Sequence, residues 1–443
     1  MQFLKSFYIH NVFFRYIAIL SASFILSYWL PVLYPIAWLL SLLLIALFLF
    51  DTYLLYGPTT GIKASRTLPK KLSNSDLNPI LIQFKSQYAF PTHVSIIDEL
   101  PAQFQKRDFE YKTSLSKGDK KEYSYTVRPV DRGEYVFGNL NVFASSPLKI
   151  VKRKFVFQKN QMVPVYPSII QMQQYDFLAI NNRLTEVGLK KIRRIGHTQE
   201  FEQIKEYVQG DDFRTVNWKA TAKQNRLMVN QYQDERSQPI YSIIDTGRVM
   251  KMPFNELKLL DYAINSALAF SNVALKRNDK TGMITFSKKI ETFVPAIQKI
   301  THLNTILEKL FSIDTQFSDS DFGMLYAHIK RKVNQRSLLL LYTNFEHISA
   351  LKRQLPFLSA ISKKHVLVVI FFENTELDTL ISTDAEDLQA IYHKTIAEKF
   401  ALEKRLMQKE LQKYGIQTIL TKPENLTMNT INKYLEIKAR GLL

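Results

Sequence analysis

The chain contains no cysteine. That absence excludes disulfide frameworks, thiolate zinc sites and cysteine nucleophiles. Glycine is scarce, 13 residues in 443, and none falls into the spaced pattern of a dinucleotide fold or the Gly-Lys-Ser/Thr of a phosphate loop. No Gly-x-Ser-x-Gly elbow occurs, and no two histidines stand four apart on one helix face, so the common hydrolase and zinc-peptidase signatures are missing. Acids are outnumbered, 40 against 59 Lys and Arg, for a formal net charge of +19. The cations are spread along the chain and are not interleaved with stacking aromatics, so nucleic acid is not expected as a partner. The two densest patches are Lys152, Arg153 and Lys154, and Lys190, Lys191, Arg193 and Arg194. They read as solvated faces, or as surfaces for anionic lipid or an acidic partner.

What is present begins with a long apolar run. Tyr16 to Phe50 holds no Asp, Glu, Lys, Arg or His over 35 residues. One membrane span takes about 20 residues, so the run predicts a two-helix transmembrane hairpin with spans at about 12–30 and 32–50, broken by Pro31 and Pro35. Trp29, Tyr34 and Trp38 crowd its tip, where interfacial aromatics belong. A cleaved leader would be shorter and would end at a small-residue site, so a retained anchor in residues 1–60 is expected. Lys5, His10 and Arg15 precede the run, and Lys63, Arg66, Lys70 and Lys71 follow it. Basic flanks on both sides place both ends, and everything after the spans, in the cytoplasm at the inner membrane.

From Asn78 to Tyr166 seven alternating runs punctuated by SKGD, DRG and SSP predict an all-β sandwich of immunoglobulin-like type within residues 61–168. A linker helix is expected over Gln171 to Leu184, inside a linker and motif region, 169–238. Beyond Pro239 short apolar strands (IYSIID, TGMITFS, SLLLLYTNF, VLVVIFF, IQTILT) alternate with helical stretches at 257–277, 297–311, 322–333, 347–364, 385–414 and 428–439. That alternation predicts a doubly wound, mainly parallel α/β domain over 239–443. His347 and His365 read as helix-end residues.

Ligands of open α/β sheets bind beyond the carboxyl ends of the strands, which singles out Asp245. The run IYSIIDTGR, then a helix, then TGMITFS and SLLLLYTNF, resembles the von Willebrand factor A fold, whose metal site follows the first strand as Asp-x-Ser-x-Ser. Of that site Asp245 is kept. Its serine positions are Gly247 and Val249, its later strand-end aspartate is Asn344, and its threonine loop would fall near Thr315 to Ser320. Magnesium demands near-octahedral oxygen ligation, so Asp245 is read as the remnant of a degenerate site, and neither metal nor other cofactor is expected.

The stretch EFEQIKEYVQGDDFRTVNWKATAKQNRLMVNQYQDER resembles the bacterial family called domain of unknown function 58. Glu200, Phe201, Tyr207, Gly210, Asp211, Arg214, Asn217, Trp218, Ala222, Leu227, Val229 and Glu235 fall on its pattern. Leu100-Pro101, VRPVDRGEY, SSPL, VYPS and NKYLEIKARG extend the likeness over most of the chain. The resemblance implies a membrane protein that accompanies MoxR-type AAA+ ATPases and other von Willebrand factor A-type membrane proteins, in an assembly or chaperone-linked role.

The residues themselves read as structural or partner-binding before catalytic. FRTVNWKATAK sets Phe213, Val216 or Asn217, and Ala220 at helical spacing. Asp211 or Asp212 is placed to cap that helix, Arg214 to pair with Asp211 or Glu206, and Trp218 to wedge between domains. Acids already paired with an arginine make poor general bases, and no enzymatic activity is expected. The leading expectation is a membrane-anchored interaction scaffold working with the ATPase. The alternative is a metal-dependent, adhesion-type protein binder.

Overall fold

The computed structural model describes every residue except 1, 59, 107–108, 181–194, 197–199, 210, 234–236, 383–386 and 443. For 2, 176–180, 195–196, 200–202, 231–233, 375–376 and 378–379 it describes the backbone alone. The chain divides into two compact units, Met1–Tyr166 and Pro167–Leu443; residues 169–238 thus group with the α/β region.

In the first unit, two apolar helices, α1 (Asn11–Ser27) and α2 (Leu33–Tyr56), are joined by a five-residue turn. The imidazole Nδ1 of His10 caps α1 by accepting from the Val12 N–H at 3.1 Å. Ser23, Ser27 and Ser41 each return their hydroxyl to a carbonyl of their own helix at 2.7 Å, so these polar groups need no outside partner. Pro35 costs no helical bond because it lies in the first turn of α2. Phe24 meets Tyr34 and Trp38 edge-on where the helices pack. The α2 helix is long and apolar enough to cross a membrane; α1 is shorter.

The helices depart from the expected spans. The first stops at Ser27 instead of near 30, and the second runs on to Tyr56 instead of ending near 50. The extension has a cause. Asp51, fully buried, accepts the backbone N–H groups of Ile150 (3.1 Å) and Val151 (2.8 Å). The Leu55 carbonyl takes the Tyr88 hydroxyl at 3.0 Å and the Arg153 guanidinium at 2.7 Å, and that guanidinium lies over the Tyr56 ring. Leu55 enters the same apolar core as Ile82, Phe84, Ile96 and Val142. The last turns of α2 are therefore held by the strand region.

That region is built of three sheets. Five strands run in the order Phe7–Ile9, Val151–Phe157, Leu140–Ser145, Thr92–Asp98, Tyr111–Leu115. Ile62–Thr67, Asn78–Ser86 and Lys120–Val127 form a second sheet, and Leu72–Ser73, Gln161–Tyr166 and Gly133–Phe137 a third. Period-two burial in Asn78–Ser86 and Thr92–Asp98 turns alternate side chains into the core. The expected run GEYVFGNLNVFAS is two strands, parted at Gly138 and Asn139, whose N–H groups bond the Glu99 carbonyl and carboxylate at 2.8 Å each. Arg66, read as a flanking surface charge, is instead buried and ion-paired with Asp98, whose other oxygen accepts the Tyr125 hydroxyl at 2.5 Å. Burial pushes the Asp98 carboxyl above its ordinary range, against the pull of Arg66 and Tyr125.

In the second unit a six-stranded sheet comprises β1 (Pro239–Asp245), β2 (Lys280–Phe286), β3 (Ile290–Ile297), β4 (Leu338–Tyr342), β5 (Val366–Phe372) and β6 (Gln417–Thr421), in the order β3-β2-β1-β4-β5-β6. All neighbours pair parallel except β3, which is antiparallel to β2. Alternate residues feed opposite cores. Ile240, Ile244, Leu340 and Ile370 face one, and Ile243, Leu341, Val369 and Phe371 the other. With both faces covered, these strands read as unbroken apolar runs.

Three expected helices shift. The helix placed at 297–311 begins at His302, because β3 occupies the residues before it. The linker helix starts at Ile169, before the expected Gln171, and is described to Ile180, packing Met172 and Tyr175 against the core; the expected residues 181–184 lie outside the described ones. The long helix placed at 385–414 spans Leu388–Lys413, capped by Asp387. An antiparallel pair, Glu200–Glu206 with Met228–Gln233, carries the motif segment.

Candidate functional site

The strand order reverses between β1 and β4, the place where a doubly wound sheet opens a crevice. Asp245 ends β1 there and is fully buried. Its Oδ1 accepts the Gly247 N–H at 2.8 Å and the Ser320 hydroxyl, and its Oδ2 accepts the Thr343 hydroxyl at 2.6 Å. Burial raises the Asp245 pKa, while the bonds from Ser320, Thr343 and Gly247 oppose the rise. The loop expected near Thr315 to Ser320 does reach the site. The Gln316 N–H bonds the Thr246 carbonyl at 2.7 Å, and the Arg248 N–H bonds the Ser318 carbonyl at 3.1 Å.

Asn344, just past β4, is buried, and its Oδ1 accepts the Lys404 ammonium at 2.6 Å; the same ammonium donates to the Phe345 carbonyl at 2.7 Å. Burial lowers the Lys404 pKa to about 8, with Glu346 pulling the other way. The residues present do not fit the divalent cation of a von Willebrand factor A site. Gly247 and Val249 offer no oxygen from their side chains, protein donors fill the Asp245 carboxylate, and a lysine cation already holds the Asn344 oxygen. Among the described residues no group of three or more His, Asp and Glu could hold a metal.

The motif residues lie apart from this crevice in sequence and bonding. Gly210 and Glu235 fall outside the described residues, and of Glu200 and Phe201 only the strand backbone is described. Tyr207 is half-buried, its N–H bonded to the Leu227 carbonyl at 2.8 Å and its ring edge-on to Phe213. Asp211 takes the Lys205 ammonium at 2.9 Å and the Val208 N–H at 3.0 Å, bonds that hold its carboxyl below the usual range. Arg214 was expected to pair with Asp211 or Glu206. Lys205 takes the first, and Arg226 stands 3.5 Å from the second.

The helix expected from Phe213 starts at Trp218. Asp212 caps only a short turn, Phe213–Thr215, and Val216 then bridges to Val229. Asn217 becomes the N-cap, accepting the Ala220 N–H at 3.0 Å and donating to Asn230 at 2.8 Å. Trp218 is not a buried wedge: it is 68% exposed, and Val208 and Phe213 beside it in the motif are each 61% exposed. Ser320 lies at the end of the loop expected at the site, whereas Thr343 and Lys404, which complete the strand-end site, were missed: Thr343 stands beside the singled-out Asn344, and Lys404 is 60 residues from it.

These features define an α/β module of doubly wound topology whose switch point is filled by hydroxyls and a lysine, preceded by an antiparallel pair whose connecting segment exposes Phe213 and Trp218. Residues 203–381 match the model of the family described as Protein of unknown function DUF58. The chain is 21% identical over 290 residues to the Uncharacterized protein YeaD of Bacillus subtilis (strain 168), covering 62% of this chain and 68% of YeaD. Among solved structures it is similar to the conserved hypothetical protein BatB from Bacteroides thetaiotaomicron, at 14% identity and a TM-score of 0.32, over 46% of this chain and all of that one. It is also similar to the ASH / PapD-like domain of human CEP192, at 12% identity and a TM-score of 0.18, over 24% of this chain and 84% of that one. At such scores neither structure carries an argument.

Proposed function

We propose that the protein is a membrane-anchored, cytoplasm-facing interaction scaffold that works with a MoxR-type AAA+ ATPase in the assembly or maturation of other proteins. In this reading α1 and α2 are the anchor, the strand region is an immunoglobulin-like sandwich and the α/β region a von Willebrand factor A-like domain. The observation that carries it is the exposure of Val208, Phe213 and Trp218 together in the family segment. Aromatics at a surface, with Arg214, Lys219 and Lys223 also exposed around them, suit recognition of a partner with acidic and apolar groups. The inward orientation is supported by exposed Lys5, Arg15, Lys63 and Lys70 beside the apolar helices. Arg66 and Lys71 add nothing to that count, since Arg66 pairs with Asp98 and Lys71 lies 3.8 Å from the centre of the Tyr166 ring.

The test is a photocrosslinking residue at Lys219 in native membranes. An adduct with an AAA+ subunit, identified by mass, is expected, with its yield changing when ATP is replaced by a non-hydrolysable analogue. Phe213→Ser with Trp218→Ser should remove it at unchanged melting temperature. The reading is lost if no AAA+ adduct forms, or if the double variant crosslinks as the parent does.

A further inference from the structure

Beside Asn344 the second unit encloses a cavity of about 550 Å³, within the usual range of small-molecule pockets. Phe254, Phe372, Phe400 and Leu420 give it apolar walls, and Lys404 and Asn344, bonded to each other, also line it. The Lys404 ammonium has three protons, and two are fixed on neutral oxygens, those of Asn344 and Phe345. Among the described residues no carboxylate lies within ion-pair distance of it. The acids about the cavity are otherwise engaged or apart: Glu346 stands 3.7 Å from Arg248, and Glu403 is 3.5 Å from His347. Glu346 acts on the ammonium only at longer range; an ammonium drawn out of water with no carboxylate in contact is costly, and an incoming anion recovers part of that cost. One remaining donor, with Glu346 and Glu373 also lining the cavity, favours a singly charged acid over a phosphate.

We propose that this cavity binds a monocarboxylate carried on an apolar body, anchored by the Lys404 ammonium with the apolar part against Phe254, Phe372, Phe400 and Leu420. The carboxylate could belong to a free organic acid or to the C-terminus of a peptide ending in a large apolar residue. The chemistry recognised is the same. The site does not depend on the scaffold reading, whose surface lies in the motif segment.

The experiment uses the full chain in zwitterionic nanodiscs, with empty nanodiscs as the blank, and ligand-observed NMR. One arm compares 3-phenylpropanoate with 3-phenylpropanamide, and the other compares Gly-Gly-Phe with its C-terminal amide. In at least one arm the acid should bind about tenfold more tightly than the amide, as a charge-assisted bond requires. The arm with the larger preference identifies the source. Lys404→Met should erase the preference and Lys404→Arg should keep part of it. Binding of the acid should also weaken between pH 7 and 9, as Lys404, at about 8, loses its proton. Among the described residues, Glu346, His347, Glu373, Glu403 and Arg405 are the other charged or titratable groups about the cavity. All five remain in Lys404→Met, which should therefore show no such fall. Should Lys404→Met not fold, the pH dependence in the parent decides. Equal binding of acid and amide in both arms, a preference that survives Lys404→Met, or acid binding indifferent to pH each overturns the proposal.

Discussion

A Cβ added to Gly247 would stand 2.1 Å from the Ser320 hydroxyl oxygen. Ser320 thus occupies the space that the serine of an Asp-x-Ser-x-Ser metal loop would need, and from there it donates to Asp245. At this point the crevice is filled by an internal hydroxyl.

Restoring the motif serine should therefore destabilise the protein without creating a metal site. Gly247→Ser is expected to cost about 1–3 kcal/mol by overpacking, and Ser320→Gly in the same chain should recover most of it. Millimolar magnesium or manganese should leave the melting temperature of parent and variants unchanged. A dose-dependent rise of several degrees in the parent would show that a cation binds the native state.

The motif offers a contrast within a few residues. Trp218→Ser, at a site 68% exposed, should change stability by less than about 0.5 kcal/mol. Val229→Ala, in the strand beneath and 1% exposed, should cost roughly 2 kcal/mol and speed proteolytic cleavage of the segment. Comparable losses from both substitutions would mean that Trp218 is packed after all.

His365 supplies the pH dependence. It is 4% exposed, neither ring nitrogen has a partner among the described residues, and burial lowers its pKa to about 4 from an ordinary 6.5. The folded state holds it neutral, so its contribution is whole above pH 6.5 and is lost as acid protonates the unfolded chain between 6.5 and 4. The loss should reach about 3 kcal/mol at the acid end. Hydrogen exchange of the Val366–Phe372 amides, followed from pH 7 to 4, reads it locally, and His365→Leu should flatten the response. An equally steep fall in His365→Leu would assign the acid sensitivity to other groups.

The alternation of strands and helices after Pro239 was legible because sheets covered on both faces make their strands uniformly apolar, as in Leu338–Tyr342 and Val366–Phe372. The edge strand Ile290–Ile297 was not. It sets Glu291 and Thr292 among apolar residues and contains Pro295, which an edge tolerates and a central strand does not. Asp245 could be found from its place after the first strand. The loop ending at Ser320 was legible only through the resemblance, and Thr343, 98 residues away along the chain, carries no local mark that it would bond Asp245. Lys404 likewise looks like one more cation of a polar helix until the fold brings it to Asn344, 60 residues earlier. Arg66 was misread for the same reason, since its partner Asp98 lies 32 residues on.

The seating of α2 has a mechanical consequence. A helix rises about 1.5 Å per residue, so the 24 residues of Leu33–Tyr56 form a rod whose last two turns are set into the strand region by Asp51, Leu55 and Arg153. No slack chain separates the apolar length from the folded body. In a bilayer a helix meets a change of thickness by changing its tilt. If α2 spans a bilayer as proposed, a rod clamped in this way turns the body fixed to its foot through the same angle, and the first unit becomes a lever.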